Sequence, residues 1–235
     1  MPHNRFFSNT PFFVDAVIHL EGEEAHHLQR VLRKKKGDLV ALVNGKNQCA
    51  NAKILVIEKK AIRLQILHLE ERRPVNFSTI LCQAIPRLNR LDIIVEKGTE
   101  LGMTDLWLFP GELSEKKELA PPQLKRLESI SIAAMKQCGR LDLPKISIKP
   151  PLLTWEQHQY PAYFGEVNTV APPFLTLFKK RSDILFFIGP ESGFSEREEE
   201  HLRYLNTQGV NLHPHTLRAE TASLVALTLI ASLDK

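Results

Sequence analysis

Cysteine is scarce in this sequence: Cys49, Cys82 and Cys138 are widely spaced and form no CxxC pair. An odd number of isolated cysteines fits neither a disulfide framework nor a cysteine zinc site, so we expect a reducing, cytoplasmic setting. Long hydrophobic runs are missing too. The most apolar window, residues 222–233, is too short to cross a bilayer, and we expect no membrane partner.

Common catalytic and nucleotide-binding motifs are also absent. Neither a P-loop nor a Gly-x-Gly-x-x-Gly fingerprint occurs, and Gly-x-Ser-x-Gly and His-Glu-x-x-His are missing. His26 and His27 are adjacent on a predicted helix, where neighbouring side chains do not face each other, so we expect no metal site. Residues 1–7 lack the apolar core of a signal peptide.

Positive charge is concentrated in the first third of the chain. Residues 1–73 contain 13 Lys and Arg against 8 Asp and Glu, whereas residues 74–235 contain 18 against 19. Such asymmetry points to a polyanion bound mainly by the first region. A solvated basic face without a partner would explain the charge equally well.

The pattern of residues 1–73 predicts a small β-rich domain. Strand patterns occur at residues 14–20, 39–43, 50–57 and 62–69. Asn44-Gly45 is a strong hairpin signal between two of them. A helix over residues 25–32 interrupts the strands and ends in a basic run, with Gly37 as its expected C-cap.

From residue 74 onward strands and helices alternate, which predicts an α/β fold with a mostly parallel sheet. Expected strands are residues 77–84, 105–109, 146–148, 162–165, 184–188 and 210–212. Expected helices are residues 88–101, 121–138, 195–207 and 218–233. Because Arg72-Arg73-Pro74 is polar and closed by proline, we divide the chain into domains 1–73 and 74–235.

One stretch of the second domain has the pattern of a ligand-binding corner. The apolar run 184–188 predicts a buried strand, and Gly189 and Gly193 bracket the loop that follows it. Ser195 and Glu198 form a capping box that begins the next helix. The loop therefore lies at the carboxyl end of a strand, the usual ligand position in open α/β sheets. A purely structural corner is the alternative.

A second unusual stretch opens the last apolar helix. Arg218, Glu220 and Thr221 bring a cation, a carboxylate and a hydroxyl to a helix N-terminus, where free backbone N–H groups also point outward. A well-capped helix without a ligand would have the same composition.

Together these two stretches resemble the C-terminal signature of the SPOUT methyltransferases. The matching segments read Gly-Pro-Glu-Ser-Gly at residues 189–193 and Leu-Arg-Ala-Glu-Thr-Ala at residues 217–222. Segments 26–38, 96–102 and 137–144 narrow the resemblance to the ribosomal RNA small-subunit methyltransferase E family. The five motifs occur in the family's order and span nearly the whole chain.

This resemblance implies a fold, a reaction and partners. The implied fold is an N-terminal PUA-like β-barrel followed by a SPOUT α/β domain with a trefoil knot. The resemblance also implies an obligate homodimer, with S-adenosyl-L-methionine bound in the knot of each chain. Its implied reaction is methylation of N3 of a uridine in the 16S rRNA of the small ribosomal subunit.

The resemblance and the residue chemistry together suggest a set of site residues. We expect cofactor contacts from Ile188, Gly189, Pro190, Glu191, Gly193, Leu212, Leu217 and Thr221. Arg218 is the candidate for orienting the uracil and stabilising its N3 anion, with Glu220 supporting Arg218 or relaying the proton. Candidates for RNA contacts are Arg5, Arg30, Arg33, Lys34, Lys35 and Arg140.

Several positions depart from the family pattern. Ser192 replaces a glycine and would be strained if its φ were positive. His213 and His215 stand where glycine and arginine are usual, and Lys136 stands where glutamate is common. A cofactor-free RNA-binding or ribosome-assembly relative therefore remains an alternative, as does a SPOUT methyltransferase that acts on another RNA base.

Overall fold

The computed structural model describes residues 5–167, 170–178 and 182–233. Backbone contacts divide the chain into two compact units. The first comprises Met1–Pro74 and Ile132–Leu143, and the second comprises Val75–Ser131 and Pro144–Lys235. Within the described ranges, no helix has the length and apolar character needed to cross a membrane.

The first unit is built on a five-stranded sheet with the order β1-β3-β4-β5-β2. Its strands are β1 (Arg5–Phe7), β2 (Val17–Glu21), β3 (Leu39–Val43), β4 (Gln48–Ile57) and β5 (Ala61–Glu71). Strands β3, β4, β5 and β2 pair antiparallel, and β1 pairs parallel with β3. Alternate residues of β5 (Ile62, Leu64 and Ile66) are fully buried, so one face of the sheet forms the core.

Two details of the predicted strands of this unit need correction. The short strand β1 was not predicted, because three residues are too few to show an alternating pattern. Strand β2 begins at Val17 instead of residue 14. Asp15 has a positive φ of 67° and its N–H donates to the carbonyl of Ile66, which makes a turn of the residues before the strand.

The basic helix of the first unit ends differently from the prediction. Helix α1 (Gly22–His26) continues as a π-helical turn, His27–Val31. Arg33 takes the left-handed conformation (φ 50°) that terminates it, and the next N–H, of Lys34, donates to the carbonyl of Leu28. The expected C-cap role of Gly37 is therefore wrong. Its N–H donates to the carbonyl of Ile54 instead.

The second unit contains a six-stranded sheet in which every pair is parallel, with the order β11-β9-β10-β6-β7-β8. Its strands are β6 (Thr79–Ala84), β7 (Asp105–Phe109), β8 (Lys145–Ile148), β9 (Ala162–Gly165), β10 (Ile184–Ile188) and β11 (Gln208–Val210). The remaining helices of the chain are α2 (Leu88–Glu100), α3 (Pro121–Cys138), α4 (Phe174–Leu177), α5 (Glu196–Tyr204) and α6 (Ala219–Ala231). Residues 132–138 of α3 belong to the first unit. A single 3-10 turn, Leu152–Thr154, precedes β9. The predicted parallel α/β sheet is confirmed.

Apolar clusters cover both faces of this sheet. The central strands β6 and β10 are buried at every position, as expected for strands covered on both sides. Leu91 and Ile94 of α2 and Leu227 of α6 pack on one face, and Leu202 of α5 packs on the other. Because the faces are filled, a ligand can enter only at an edge of the sheet.

The C-terminal part of the chain differs from the prediction in two details. Strand β11 ends at Val210, so Leu212 lies in the loop after it instead of in the strand. The helical spacing of apolar residues in 218–233 predicts a core face with Ala222, Val225, Leu229 and Leu233, but these side chains are only half-buried. The buried residues of α6 are Ala219, Ser223, Ala226, Leu227 and Ile230. A buried hydrogen bond of the Ser223 hydroxyl accounts for its inward position.

Candidate active site

A cavity of about 430 Å³ opens at the carboxyl edge of the six-stranded sheet. The loops after β9, β10 and β11 and the first turn of α6 line it. The volume is within the range of small-molecule sites, roughly 300–1,000 Å³. Parallel strands place their carboxyl ends at one edge, so loops far apart in sequence meet here.

The loop after β10 forms the floor of the cavity by close backbone packing. A Cβ at Gly189 would lie 2.9 Å from the carbonyl carbon of Gly193 and 3.0 Å from the amide nitrogen of Phe194. The Gly193 N–H donates to the carbonyl of Pro190 at 3.0 Å, and Gly193 has a φ of +78°. Both glycines are therefore required by the shape of the loop.

Ser192 is compatible with this loop. It is exposed and is not among the residues with positive φ in the described chain. The strain that its replacement of glycine could have introduced is therefore absent, and the left-handed conformation belongs to Gly193 alone within the loop.

Most of the predicted cofactor residues meet at the cavity. Seven of the eight line it: Ile188, Gly189, Pro190, Glu191, Gly193, Leu212 and Leu217. Thr221, Arg218 and Glu220 belong to the described residues but lie outside the lining. Thr221 and Arg218 are exposed, and Arg218 is the N-cap residue of α6.

Arg90 joins the two stretches that the sequence singled out. Its Nη1 donates to Oε1 of Glu220 at 2.9 Å and to Oε2 at 2.6 Å. Its Nε lies 3.0 Å from Oε1 of Glu191, an ion-pair distance without hydrogen-bond alignment. The Arg87 N–H also donates to Glu191, at 3.0 Å. The hydrogen-bonded partner of Glu220 is thus Arg90, not Arg218.

Arg90 is not among the predicted site residues, although the sequence carries one signal for it. Arg87 and Arg90 flank the first turn of α2, where the helix dipole disfavours cations. Two arginines in that position indicate nearby carboxylates. The sequence does not show which carboxylates they are.

The charge of Glu220 is stabilised by its surroundings. Burial favours a higher pKa for this carboxyl, but the hydrogen bonds from Arg90 and from the backbone, with the charges of Arg90 and Arg218, outweigh it and lower the pKa below its ordinary value of 4.5. Glu220 is therefore ionised at neutral pH and is a weak proton acceptor.

Gln83 forms a second, uncharged link to the same loop. It lies at the end of β6 and is fully buried. Its Nε2 donates to the carbonyls of Gly189 at 3.1 Å and Ile188 at 3.4 Å, and the Ser223 hydroxyl donates to its Oε1 at 2.7 Å. Gln83 thus connects the loop to α6, a role that no sequence motif indicates.

The cavity lining carries carboxylates but, in the part of the chain that the structure describes, no lysine or arginine. Glu166, Glu191 and Glu199 line it. Arg203, from outside the lining, pairs with Glu166 at 3.0 Å and with Glu199 at 3.2 Å. A ligand with a positive charge would therefore meet no cationic lysine or arginine side chain. No group of three His, Cys, Asp or Glu side chains in the described residues could hold a metal ion.

Two family models match the chain. Residues 73–231 match the model described as an RNA methyltransferase domain, and residues 20–67 match an RNA methyltransferase PUA domain. The ribosomal RNA small subunit methyltransferase E of Aquifex aeolicus (strain VF5) is 30% identical over 216 residues, which cover 89% of this chain and 91% of the relative. The chain belongs to the ribosomal RNA small subunit methyltransferase E family. The expected family is confirmed, and with it an rRNA methyltransferase with an N-terminal PUA-like domain.

Further members of this family show the same likeness. The ribosomal RNA small subunit methyltransferase E of Buchnera aphidicola subsp. Acyrthosiphon pisum (strain APS) is 29% identical, covering 91% of this chain and 87% of the relative. A solved structure of the Neisseria gonorrhoeae enzyme, bound to S-adenosyl methionine, is 27% identical with a TM-score of 0.87. That alignment covers 98% of each chain.

The departures from the family pattern have local structural explanations. Lys136 pairs with Glu24 of the same compact unit, which gives this lysine a structural partner. His213 and His215 are exposed and line the cavity. The His215 N–H donates to Nδ1 of His213 at 3.1 Å, so the two histidines form a local turn.

The predicted RNA residues, all in the first unit, fall into two groups. Arg30, Arg33 and Lys35 are exposed, and Lys34 is half-buried beside them. Arg140 pairs with Asp142 at 2.7 Å, and its side chain is only 11% exposed. Arg5 is half-buried. The structure therefore places the cluster at residues 30–35 at the surface and gives Arg140 an internal partner.

Proposed function

We propose that this protein is an S-adenosylmethionine-dependent methyltransferase that modifies N3 of a uridine in 16S rRNA. The observation that carries the proposal is the cavity, whose lining brings together seven residues expected to contact the cofactor. The N. gonorrhoeae relative was solved with S-adenosyl methionine bound. The same proposal includes three further properties: a chain that forms a trefoil knot, a homodimeric assembly and a cytoplasmic location.

The residues at the cavity fit this cofactor. Ile188, Leu212 and Leu217 supply apolar walls for an adenine ring, and the loop at Gly189 brings backbone groups close without a Cβ between them. Glu166, Glu191 and Glu199 belong to the lining, so a sulfonium would have acidic residues around it and, among the described residues, no lysine or arginine in the lining. When bound, the cofactor would supply an electrophilic methyl group.

Arg218 is proposed to act on the RNA base. Its exposed guanidinium starts α6 next to the cavity residues Leu217 and Ala219. There it can orient the uracil and favour the N3 anion, because a nearby positive charge lowers the pKa of an acidic N–H. Positioning of this kind is the main contribution an enzyme makes to a direct methyl transfer.

Glu220 is proposed as a charge partner instead of a proton carrier. Its pKa is lowered and Arg90 bonds both of its oxygens, so it holds a proton poorly at neutral pH. Water at the open mouth of the cavity would then accept the N3 proton. The exposed Thr221 hydroxyl would lie near the same helix start.

The basic cluster at residues 30–35 is proposed to bind rRNA phosphates. Arg5 and Arg140, which are less exposed, are proposed as secondary contacts to the same RNA. Exposed lysine and arginine side chains on one segment attract a phosphate backbone without reading its sequence. The bound partner would be the 16S rRNA within the small ribosomal subunit.

Methyl transfer to ribosomal RNA tests the reaction directly. Small subunits from a strain lacking the gene should accept radiolabelled methyl from S-adenosylmethionine when the purified protein is added. Mass spectrometry of nuclease fragments should locate the methyl group on N3 of one uridine. A methyl group on another base would reject the uridine assignment, and no binding at millimolar cofactor in calorimetry would favour the cofactor-free alternative.

A further inference from the structure

We propose that Arg90 is a positioning residue that fixes the cofactor loop, residues 189–193, relative to the start of α6. Cofactor affinity and the placement of Arg218 would then depend on a side chain outside the cavity lining. This inference rests on the proposed function, because it concerns the same cavity.

The geometry supports this role for Arg90. One guanidinium contacts carboxylates from both segments, Glu191 of the loop and Glu220 of the first turn of α6. The three side chains are between 14% and 21% exposed. Removing one partner of an ion pair that is largely shielded from water strongly destabilises the folded structure around it, because the other charge stays buried without compensation.

Loss of Arg90 would leave two carboxylates close together. The charged groups facing them are Arg87, which pairs with Glu115, and Arg218, whose charge acts on Glu220. Arg87 contributes a backbone N–H to Glu191, but its side chain is 56% exposed and directed to Glu115. Repulsion between Glu191 and Glu220 would therefore push the loop and the helix start apart.

The uncharged link through Gln83 explains why the fold should survive this loss. Gln83 bonds the carbonyl of Gly189 and the hydroxyl of Ser223 inside the core, independently of Arg90. A variant without the guanidinium should therefore keep its sheet and α6 while the loop becomes misplaced. Methionine is a suitable replacement because it keeps the length of the side chain without its charge.

The test compares the full-length Arg90→Met and Arg87→Met variants with the wild type. Calorimetry with S-adenosylhomocysteine should show at least a tenfold weaker Kd for Arg90→Met and less than a twofold change for Arg87→Met. Single-turnover methyl transfer to rRNA at saturating cofactor should also slow at least tenfold in Arg90→Met alone. Equal behaviour of the two variants would overturn the proposal.

Two further readouts separate positioning from a general loss of stability. Removing the repelling carboxylate that lies outside the cavity lining, in Arg90→Met/Glu220→Gln, should bring the Kd back to within about threefold of the wild type. The affinity of Arg90→Met should also improve as the pH is lowered from 8 to 5.5, relative to the wild type. Absence of both effects would contradict the proposed repulsion.

Hydrogen exchange tests the role of Arg90 without requiring the cofactor to bind. In Arg90→Met, the amides of Gly189, of residues 191–193 and of residues 219–223 should exchange faster, while those of β6 and β10 should keep wild-type rates. If wild-type protein bound no S-adenosylhomocysteine, the proposed function would fail, and this exchange pattern would still test the link. Unchanged exchange in both segments would reject it.

Discussion

The two regions proposed to bind ligands differ in whether their charged side chains form ion pairs. At the cavity, carboxylates are paired with arginines, as Glu191 is with Arg90 and Glu166 with Arg203. In the basic cluster at residues 30–35, by contrast, the side chains form no ion pair within the described residues, and most are exposed. Fixed pairs preserve a geometry, whereas free charges adapt to a flexible polyanion.

This comparison predicts different responses to mutation. A change at the cavity should affect binding or chemistry through one defined contact. A change in the basic cluster should weaken RNA binding gradually, in proportion to the charge removed. Four experiments test this distinction, beginning with the largest expected effect.

The largest effect is expected from Arg218→Ala. Removing the cation proposed to stabilise the developing N3 anion should slow methyl transfer by roughly 10²–10³-fold, the usual effect of losing one electrostatic contact to a transition state. Cofactor affinity should stay within about twofold, because Arg218 lies outside the lining. Single-turnover assays and calorimetry would measure the two quantities. Arg126→Ala, at an exposed ion pair on α3, is the matched control, and full turnover in Arg218→Ala would reject the role.

The next largest effect is expected from Gly189→Ala. The added methyl group would lie 2.9 Å from backbone carbon of Gly193, and backbone cannot move aside as a flexible side chain can. We expect the Kd for S-adenosylhomocysteine, measured by calorimetry, to rise at least tenfold. The loop control Ser192→Ala adds no atom and should leave the Kd almost unchanged. A wild-type Kd in Gly189→Ala would show that the loop is not the cofactor floor.

A smaller and graded effect is expected in the basic cluster. Arg33→Gln/Lys35→Gln should lessen the slope of log K against log salt for rRNA binding by about 1.4 to 1.8, which corresponds to two phosphate contacts. Lys59→Gln/Lys60→Gln removes the same charge from the exposed turn between β4 and β5 and should leave the slope unchanged. Filter binding over a range of salt concentrations measures both variants, and equal slopes would argue against a localised RNA contact.

The smallest effect is expected from Ser192→Gly, which restores the residue usual in the family. Because Ser192 does not have a positive φ, glycine relieves no strain there and only adds flexibility to the unfolded chain. Denaturant titration should show a loss of stability of no more than about 1 kcal/mol. A clear gain in stability would mean that serine is strained in this loop after all.

Much of the fold could be predicted from sequence because its signals are local. The buried strand β10 is a continuous apolar run, and the capping box of Ser195 and Glu198 forms as expected at the start of α5. Helices α2 and α3 end close to the predicted residues 101 and 138, where Gly102 and Gly139 follow with positive φ. Each of these patterns depends on a few consecutive residues.

The contacts that hold the candidate site together depend on pairs far apart in sequence. Arg90 meets Glu220 across 130 positions, and Gln83 meets Ser223 across 140. Neither pair belongs to a motif, and both require the strand order of the sheet to be known. The π-helical turn at His27–Val31 was missed for a different reason, since its residues fit an ordinary helix equally well.

The strand order also determines when each sheet can be completed during synthesis. All five strands of the first sheet lie within the first 71 residues, so they can pair early. In the second sheet β6 must wait for β10, whose register partners begin 105 positions later (Thr79 with Ile184). Because chains fold as they emerge from the ribosome, the fully buried strand β6 stays without one of its neighbours while the 105 positions from Thr79 to Ile184 are synthesised, and its apolar surface needs protection from aggregation during that time.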